Sequence, residues 1–228
     1  MTITFKGSHF PKSVILFAVF FYVRYPVSYR DLQEIMAERG IEIDHATFHR
    51  WVVRYAPQIA DQAQKRKRPT LGSWRVDETY IKVKGKWTYL YRAVDRDGQT
   101  LEFMLSERRN LGAARRFFKK AIASNGVPHK VVIDKSGANL AGAKAVNTIL
   151  KITGTGKMME ILQVKYLNNI LEQDHRFIER ITKHMLGFKA FDSASATIAG
   201  IEVAHMIGKK QFANENRSPF EVFAELAA

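Results

Sequence analysis

Asp77, Asp134 and Glu172 are far apart along the chain, yet each stands where a carboxylate can be aimed at a shared point. Asp77 lies in a stretch of strand character beside Val76, Tyr80 and Ile81, Asp134 ends the wholly apolar run Val131-Val132-Ile133, and Glu172 falls on a helical stretch starting near Asn169. Converging carboxylates of this kind can hold two divalent cations, Mg²⁺ or Mn²⁺, about 4 Å apart, the arrangement that metal-assisted phosphoryl transfer on DNA uses. Taken singly, most carboxylates are solvated or ion-paired. An acid at the end of a buried strand, like Asp134, instead sits where ligands bind in α/β sheets. Strand alternation sends Glu78 to the opposite face from Asp77 and so excludes it from the same cluster. Asp95 and Asp97, next to Gly98, have the chemistry of a turn. His45 and His49, four residues apart, lack a third metal ligand nearby and read as a polar pair facing DNA or solvent.

The strands and helices around these acids begin at Ser73. Trp74 to Val83, Trp87 to Val94 and Thr100 to Leu105 read as three strands joined by Lys84-Gly85 and Asp95-Arg96-Asp97-Gly98 turns, an antiparallel meander. Asn110 caps an amphipathic helix to about Ala123, and Val131 to Ile133 suits a buried parallel strand. A helix from Ala138 to Leu150, a weak fifth strand near Ile161 to Val164, and helices from about Asn169 and Ser193 follow. A meander and then alternating helix and strand make an α/β fold with a mixed sheet. If the first and fourth strands are neighbours, Asp77 and Asp134 stand side by side, and a helix over the sheet can carry Glu172 to them.

Before residue 60 the periodicity is helical: Lys12 to Arg24; Ser28 to Arg39, opened by Ser28 with Asp31 and closed by Gly40; and Asp44 to Tyr55, stopped before Pro57. The last two resemble a helix-turn-helix, the alternative being a plain three-helix bundle. Thr47, His49 and Arg50 are the candidate readers of base edges, with Arg50, Arg54 and the run Lys65-Arg66-Lys67-Arg68 as phosphate contacts. That run, ending at Pro69, also reads as a linker.

Composition agrees with a polyanionic partner. Thirty-six Lys and Arg against 22 Asp and Glu give a net charge of +14, which favours nucleic acid first and an anionic membrane surface second. With no cysteine, disulfide frameworks and thiolate zinc sites are excluded. The apolar run Val14 to Val23 mimics a signal peptide, but it is too short to span a bilayer, which takes about 20 residues, and no small-residue cleavage site follows. It reads as a buried helix, and the expected location is the cytoplasm.

The runs Trp74-Arg75-Val76-Asp77-Glu78-Thr79-Tyr80-Ile81-Lys82-Val83-Lys84-Gly85-Lys86-Trp87, Tyr89 to Asp95, Ile133-Asp134-Lys135-Ser136-Gly137-Ala138-Asn139, Lys165 to Asn169, Glu172-Gln173-Asp174-His175-Arg176 and Leu186 to Lys189 resemble the transposases of the IS6 family (IS26-like) of bacterial insertion sequences. The similarity runs in order from about Pro11 to Gln211. It implies an RNase H-like catalytic core with a five-stranded mixed sheet, preceded by a small all-α helix-turn-helix domain. It also implies an Asp, Asp, Glu triad, here Asp77, Asp134 and Glu172, and a homodimer or higher oligomer that joins insertion-sequence ends to target DNA. The expected division is residues 1–60 for the helix-turn-helix, 61–72 for a basic linker, 73–211 for the catalytic domain and 212–228 for a divergent tail. The chain departs from the family at Glu179, two helical turns after Glu172, where a Lys or Arg is usual. Arg176 and Arg180 flank that position and, with Lys135, complete the expected DNA contacts. The competing reading is a transposase that binds DNA without catalysis, and a third is a cellular nuclease or resolvase of the same core architecture.

Overall fold

The computed structural model describes residues 3–6, 8–70, 72–134, 137–154, 158–164, 169–185, 187–213 and 216–228. The chain falls into two compact units, one comprising Met1–Arg68, Val83–Gly85 and Phe177–Ala228, the other Pro69–Lys82 and Lys86–Arg176.

The second unit holds the sheet: β1 (Ser73–Val83), β2 (Lys86–Asp95), β3 (Thr100–Ser106), β4 (Lys130–Ile133) and β5 (Glu160–Gln163), with α4 (Leu111–Asn125) and α5 (Gly137–Ile152). The strand order is β3-β2-β1-β4-β5. β2 and β3 are antiparallel, whereas β1 pairs β4, and β4 pairs β5, in parallel. This is a five-stranded mixed sheet with flanking helices, as expected. Both residues of the Lys84-Gly85 turn have positive φ, 50° and 75°, as a tight hairpin turn requires. Asp95 has the turn role expected of it, its Oδ1 accepting from the Asp97 and Gln99 amides. Asn110 caps α4 through the Ala113 amide. Trp74, Val76, Tyr91, Val131 and Ile133 of the sheet pack with Ala113, Ala114, Phe117 and Phe118 of α4 and Ala143 and Val146 of α5.

The first unit is helical: α1 (Lys12–Arg24), α2 (Tyr29–Ala37), α3 (His45–Arg66), α7 (Phe191–Gly208) and α8 (Pro219–Leu226). α6 (Asn169–Lys183) spans the boundary between the two units in sequence. α1 is the buried helix expected, and among the described residues no helix is long and apolar enough to cross a membrane. Ser28 and Asp31 form the capping box of α2, and Asp44 caps α3 through the Ala46 and Thr47 amides. Gly40, at φ 72°, closes α2 as the Ile41 amide returns to the Met36 carbonyl, and seven residues (Glu38–Asp44) separate α2 from α3, a longer connection than the tight turn expected.

Two features differ from expectation. α3 does not stop before Pro57 but runs to Arg66. An interior proline costs about 3 kcal/mol of helix stability, but beyond it α3 buries Ile59, Ala60 and Ala63. Hydrophobic burial of about 25 cal/mol per Å² over several side chains outweighs that cost. Lys65 and Arg66 are therefore the last turn of a helix rather than part of the basic linker. Residues 212–228 include α8, whose Val222, Phe223 and Leu226 are buried.

Candidate functional site

The register Val76↔Ile133 is the last rung of the parallel β1–β4 ladder. The next residues along the two strands are Asp77 and Asp134, so these acids emerge side by side where β4 ends. Their carboxylates, with that of Glu78, each offer an oxygen within 4.8 Å of the others'. Among the described residues this is the group able to hold a metal ion, and its oxygen donors suit a hard divalent cation.

Glu78 belongs to this group against the expectation from strand alternation. Alternation directs Cβ atoms to opposite faces, but neither Asp77 nor Glu78 is paired with β4, whose ladder ends at Ile133. A side chain as long as that of Glu can lean over such an edge. Arg109, just ahead of α4, ties the group together: its Nε donates to Glu78 Oε1 at 3.2 Å, and its Nη2 donates to Glu78 Oε2 and to Asp134 Oδ2, each at 3.4 Å. Asn139 of α5, fully buried, donates to Glu78 Oε2 at 2.8 Å. Burial pushes the Glu78 carboxyl above its ordinary value, while Arg109 and Asn139 pull the other way. Both Glu78 oxygens thus carry protein donors, which leaves Asp77 and Asp134 the more open acids.

Glu172 is exposed in the first turn of α6 and does not belong to the group that lies within 4.8 Å. Its helix nevertheless meets the site. His175, three residues on and therefore on the same side of the helix, places Nε2 3.9 Å from Asp77 Oδ2. The residue after it, Arg176, is exposed. Behind His175 lies a buried ion pair: Arg92 of β2 donates through Nη2 to Asp174 Oδ2 at 2.6 Å, and its Nη1 is 3.3 Å from His175 Nδ1. Arg109, Asn139, Arg92, Asp174 and His175 escaped the sequence reading. The signal was present for two of them, since Leu171, Asp174, His175, Ile178 and Ile181 form one buried helical stripe in which the polar pair is out of place.

In the helical unit, Thr47, Arg50 and Arg54 share one face of α3 and line a cavity of about 320 Å³ with His9, Trp51 and Tyr55. Arg50 donates to the Thr47 hydroxyl, and Thr47 in turn to Asp44 Oδ2 at 2.6 Å. His49 faces elsewhere: it meets the Tyr29 ring edge-on and lines a second cavity, of about 420 Å³, with His45, His184 and Lys189. Arg66 donates to the Glu225 carbonyl near the end of α8, the Arg68 amide donates to the Gln211 carbonyl, and Arg180 stacks on Phe177. Lys65 is exposed and Lys67 half-buried, while Lys135 lies outside the described residues.

Residues 72–211 match the family DDE_Tnp_IS240, a DDE domain. Over 220 residues the chain is 38% identical to the transposase for insertion sequence-like element IS431mec of Staphylococcus aureus strain Mu50, covering 96% of this chain and 92% of that protein. It matches the transposase for insertion sequence element IS257 in transposon Tn4003 of Staphylococcus aureus to the same extent. Among solved structures, the catalytic core domain of BIV integrase aligns with a TM-score of 0.43 at 16% identity, over 68% of this chain and 94% of that one.

Proposed function

The chain belongs to the IS6-family insertion-sequence transposases and carries their DDE domain, and from that premise we propose that Asp77, Asp134 and Glu172 are its catalytic acids, serving strand cleavage at the ends of an insertion sequence and strand transfer into target DNA. The observation that carries this reading is the emergence of Asp77 and Asp134 from adjacent parallel strands with their oxygens within 4.8 Å. Such a donor set fits Mg²⁺ or Mn²⁺, held by Asp77 and Asp134 with Glu172 as the third acid. When bound, these ions supply activation of the attacking oxygen and charge stabilisation at the phosphorus.

The chain's own residues prepare for this. Arg109 offsets the mutual repulsion of Glu78 and Asp134. Glu78, engaged by Arg109 and Asn139, anchors that guanidinium rather than serving as a primary ligand. Glu172 is assigned as the third acid because it stands in the first turn of α6, one turn ahead of His175, whose Nε2 lies 3.9 Å from Asp77 Oδ2. Thr47, Arg50 and Arg54 present one face of α3 to double-stranded DNA, with Lys65, Arg66, Lys67, Arg68, Lys135, Arg176 and Arg180 as backbone contacts and His49 as a reader on a separate face. Two ends must be brought together, so the working form is a homodimer or a larger assembly.

Cleavage of DNA carrying the element's ends, assayed with Mg²⁺, tests the reading. Wild type yields a nicked product, and Glu172→Gln binds the same DNA without cutting it. Product from the Gln variant at the wild-type rate would refute the role of Glu172. A second reading, DNA binding without catalysis, is favoured by Glu179, an exposed carboxylate two turns along α6 where it would repel phosphate. In that case wild type binds without cutting, and Glu179→Lys restores product.

A further inference from the structure

The α6 stripe that holds Asp174 and His175 does more than pack. Arg92 is fully buried on β2, and every polar hydrogen of its guanidinium is a donor; it has no acceptor to offer. Its Nη1 stands 3.3 Å from His175 Nδ1, so that nitrogen must be the acceptor, and the ring proton of a neutral His175 must sit on Nε2. The Arg92–Asp174 bond of 2.6 Å keeps the guanidinium pointed that way. His175 Nε2 is buried without a hydrogen-bond partner among the described residues, His175 itself being 6% exposed, and the carboxylate it faces is Asp77 Oδ2 at 3.9 Å.

We propose that His175 is a positioning residue for the catalytic centre: Asp174 and Arg92 fix its tautomer so that Nε2–H is presented to Asp77, orienting that carboxylate and tying it to the helix that bears Glu172. An approach of about 1 Å brings the pair into hydrogen-bond range. A metal-binding carboxylate held by an outer hydrogen bond is a common device, and losing the outer partner typically weakens metal affinity 10–100-fold. Because His175 and Glu172 share one side of α6, the same contact sets where Glu172 stands relative to Asp77. The inference rests on Asp77 being a metal ligand, as proposed above.

The test is a Mn²⁺ titration of the full chain followed by electron paramagnetic resonance, without DNA. His175→Leu should bind Mn²⁺ about 10–100-fold more weakly than wild type. His175→Gln, whose amide N–H reaches about as far as Nε2–H, should stay within about threefold of wild type if donation is what matters. A Leu variant that binds as wild type, or a Gln variant as weak as Leu, overturns the proposal. Nitrogen-15 NMR of histidine-labelled wild type gives an independent readout that no mutant's folding can cloud: the Nε2–H tautomer of His175 is expected, and the Nδ1–H tautomer overturns it. Wild type that binds no Mn²⁺ would refute the metal reading of Asp77 instead. The tautomer, measured without metal, would then decide the relay by itself.

Discussion

Arg92→Leu probes the buried ion pair that steadies α6. The two side chains are 1% and 8% exposed and meet at 2.6 Å, so the substitution strips a guanidinium from a carboxylate that has little water to replace it. Removing one member of such a pair typically costs about 3–5 kcal/mol. Replacing both members with apolar residues of similar volume is often nearly neutral, so the main cost of Arg92→Leu/Asp174→Leu should be the bond to His175 Nδ1, about 1 kcal/mol. The double variant is therefore expected to be about 2–4 kcal/mol more stable than the single one. A chain with two units need not unfold in one step, so the readout must belong to the sheet unit. In a Trp51→Phe background the remaining tryptophans are Trp74 and Trp87, both in that unit. Their fluorescence in urea, at a slope of about 2 kcal/mol per M, should show the midpoint fall by about 2 M for the single variant and recover most of it in the double. A double variant as unstable as the single would mean that Arg92 acts through packing of its stem, and the charge argument would be wrong.

Gly142→Ala would place a Cβ 2.6 Å from Ala114 Cβ and 3.1 Å from the Ala114 carbonyl carbon. Overpacking of about 1–3 kcal/mol should exceed the roughly 1 kcal/mol gained in helix propensity, a net loss in the same urea assay. Arg109→Met should destabilise the sheet unit by about 1–2 kcal/mol at pH 7. Burial already holds the Glu78 carboxyl above 4.5, so the stability linked to its proton is present below that value and lost as pH rises through the folded one. Losing Arg109 raises it further, and the variant's deficit should narrow as pH is lowered from 7 towards 5; a pH-independent deficit would contradict this. Arg50→Ala should lower the salt slope of DNA binding by about 1, measured as log K against log salt, and an unchanged slope would remove Arg50 from the phosphate contacts.

Local chemistry was legible in the sequence wherever it is local in the fold. Ser28, Asp44 and Asn110 are caps because a side-chain oxygen meets an amide two or three residues on, and nothing distant decides it. The juxtaposition of β1 and β4 was also reachable, since an apolar strand that ends in an acid belongs inside a parallel sheet. Pro57 misled because its cost is local and its compensation, the burial of Ile59, Ala60 and Ala63, is tertiary. α8 left a readable mark in Ser218-Pro219 with Glu221, a capping box with proline in the first turn, which poor family likeness obscured. Glu78 was misplaced because alternation fixes the direction of Cβ and not the reach of four further atoms. Arg92 could be noticed as a charge within an apolar strand, but its partners lie more than 80 residues away and follow only from topology.

Different physics holds the two kinds of acid. Asp77 and Asp134 are set by ladder register, and a slip of one residue would turn every side chain of a strand to the other face, so their relation changes only if the sheet does. Glu172 is set by how α6 docks, and that docking runs through a buried ion pair and an imidazole rather than through apolar contacts alone. An apolar stripe tolerates sliding among similar packings, whereas a guanidinium that must satisfy Asp174 and His175 together admits one arrangement. Substitutions at Arg92, Asp174 or His175 should therefore change what Glu172 can reach while leaving Asp77 and Asp134 adjacent. The polar members of the α6 stripe are where the reach of Glu172 can be altered without dismantling the sheet.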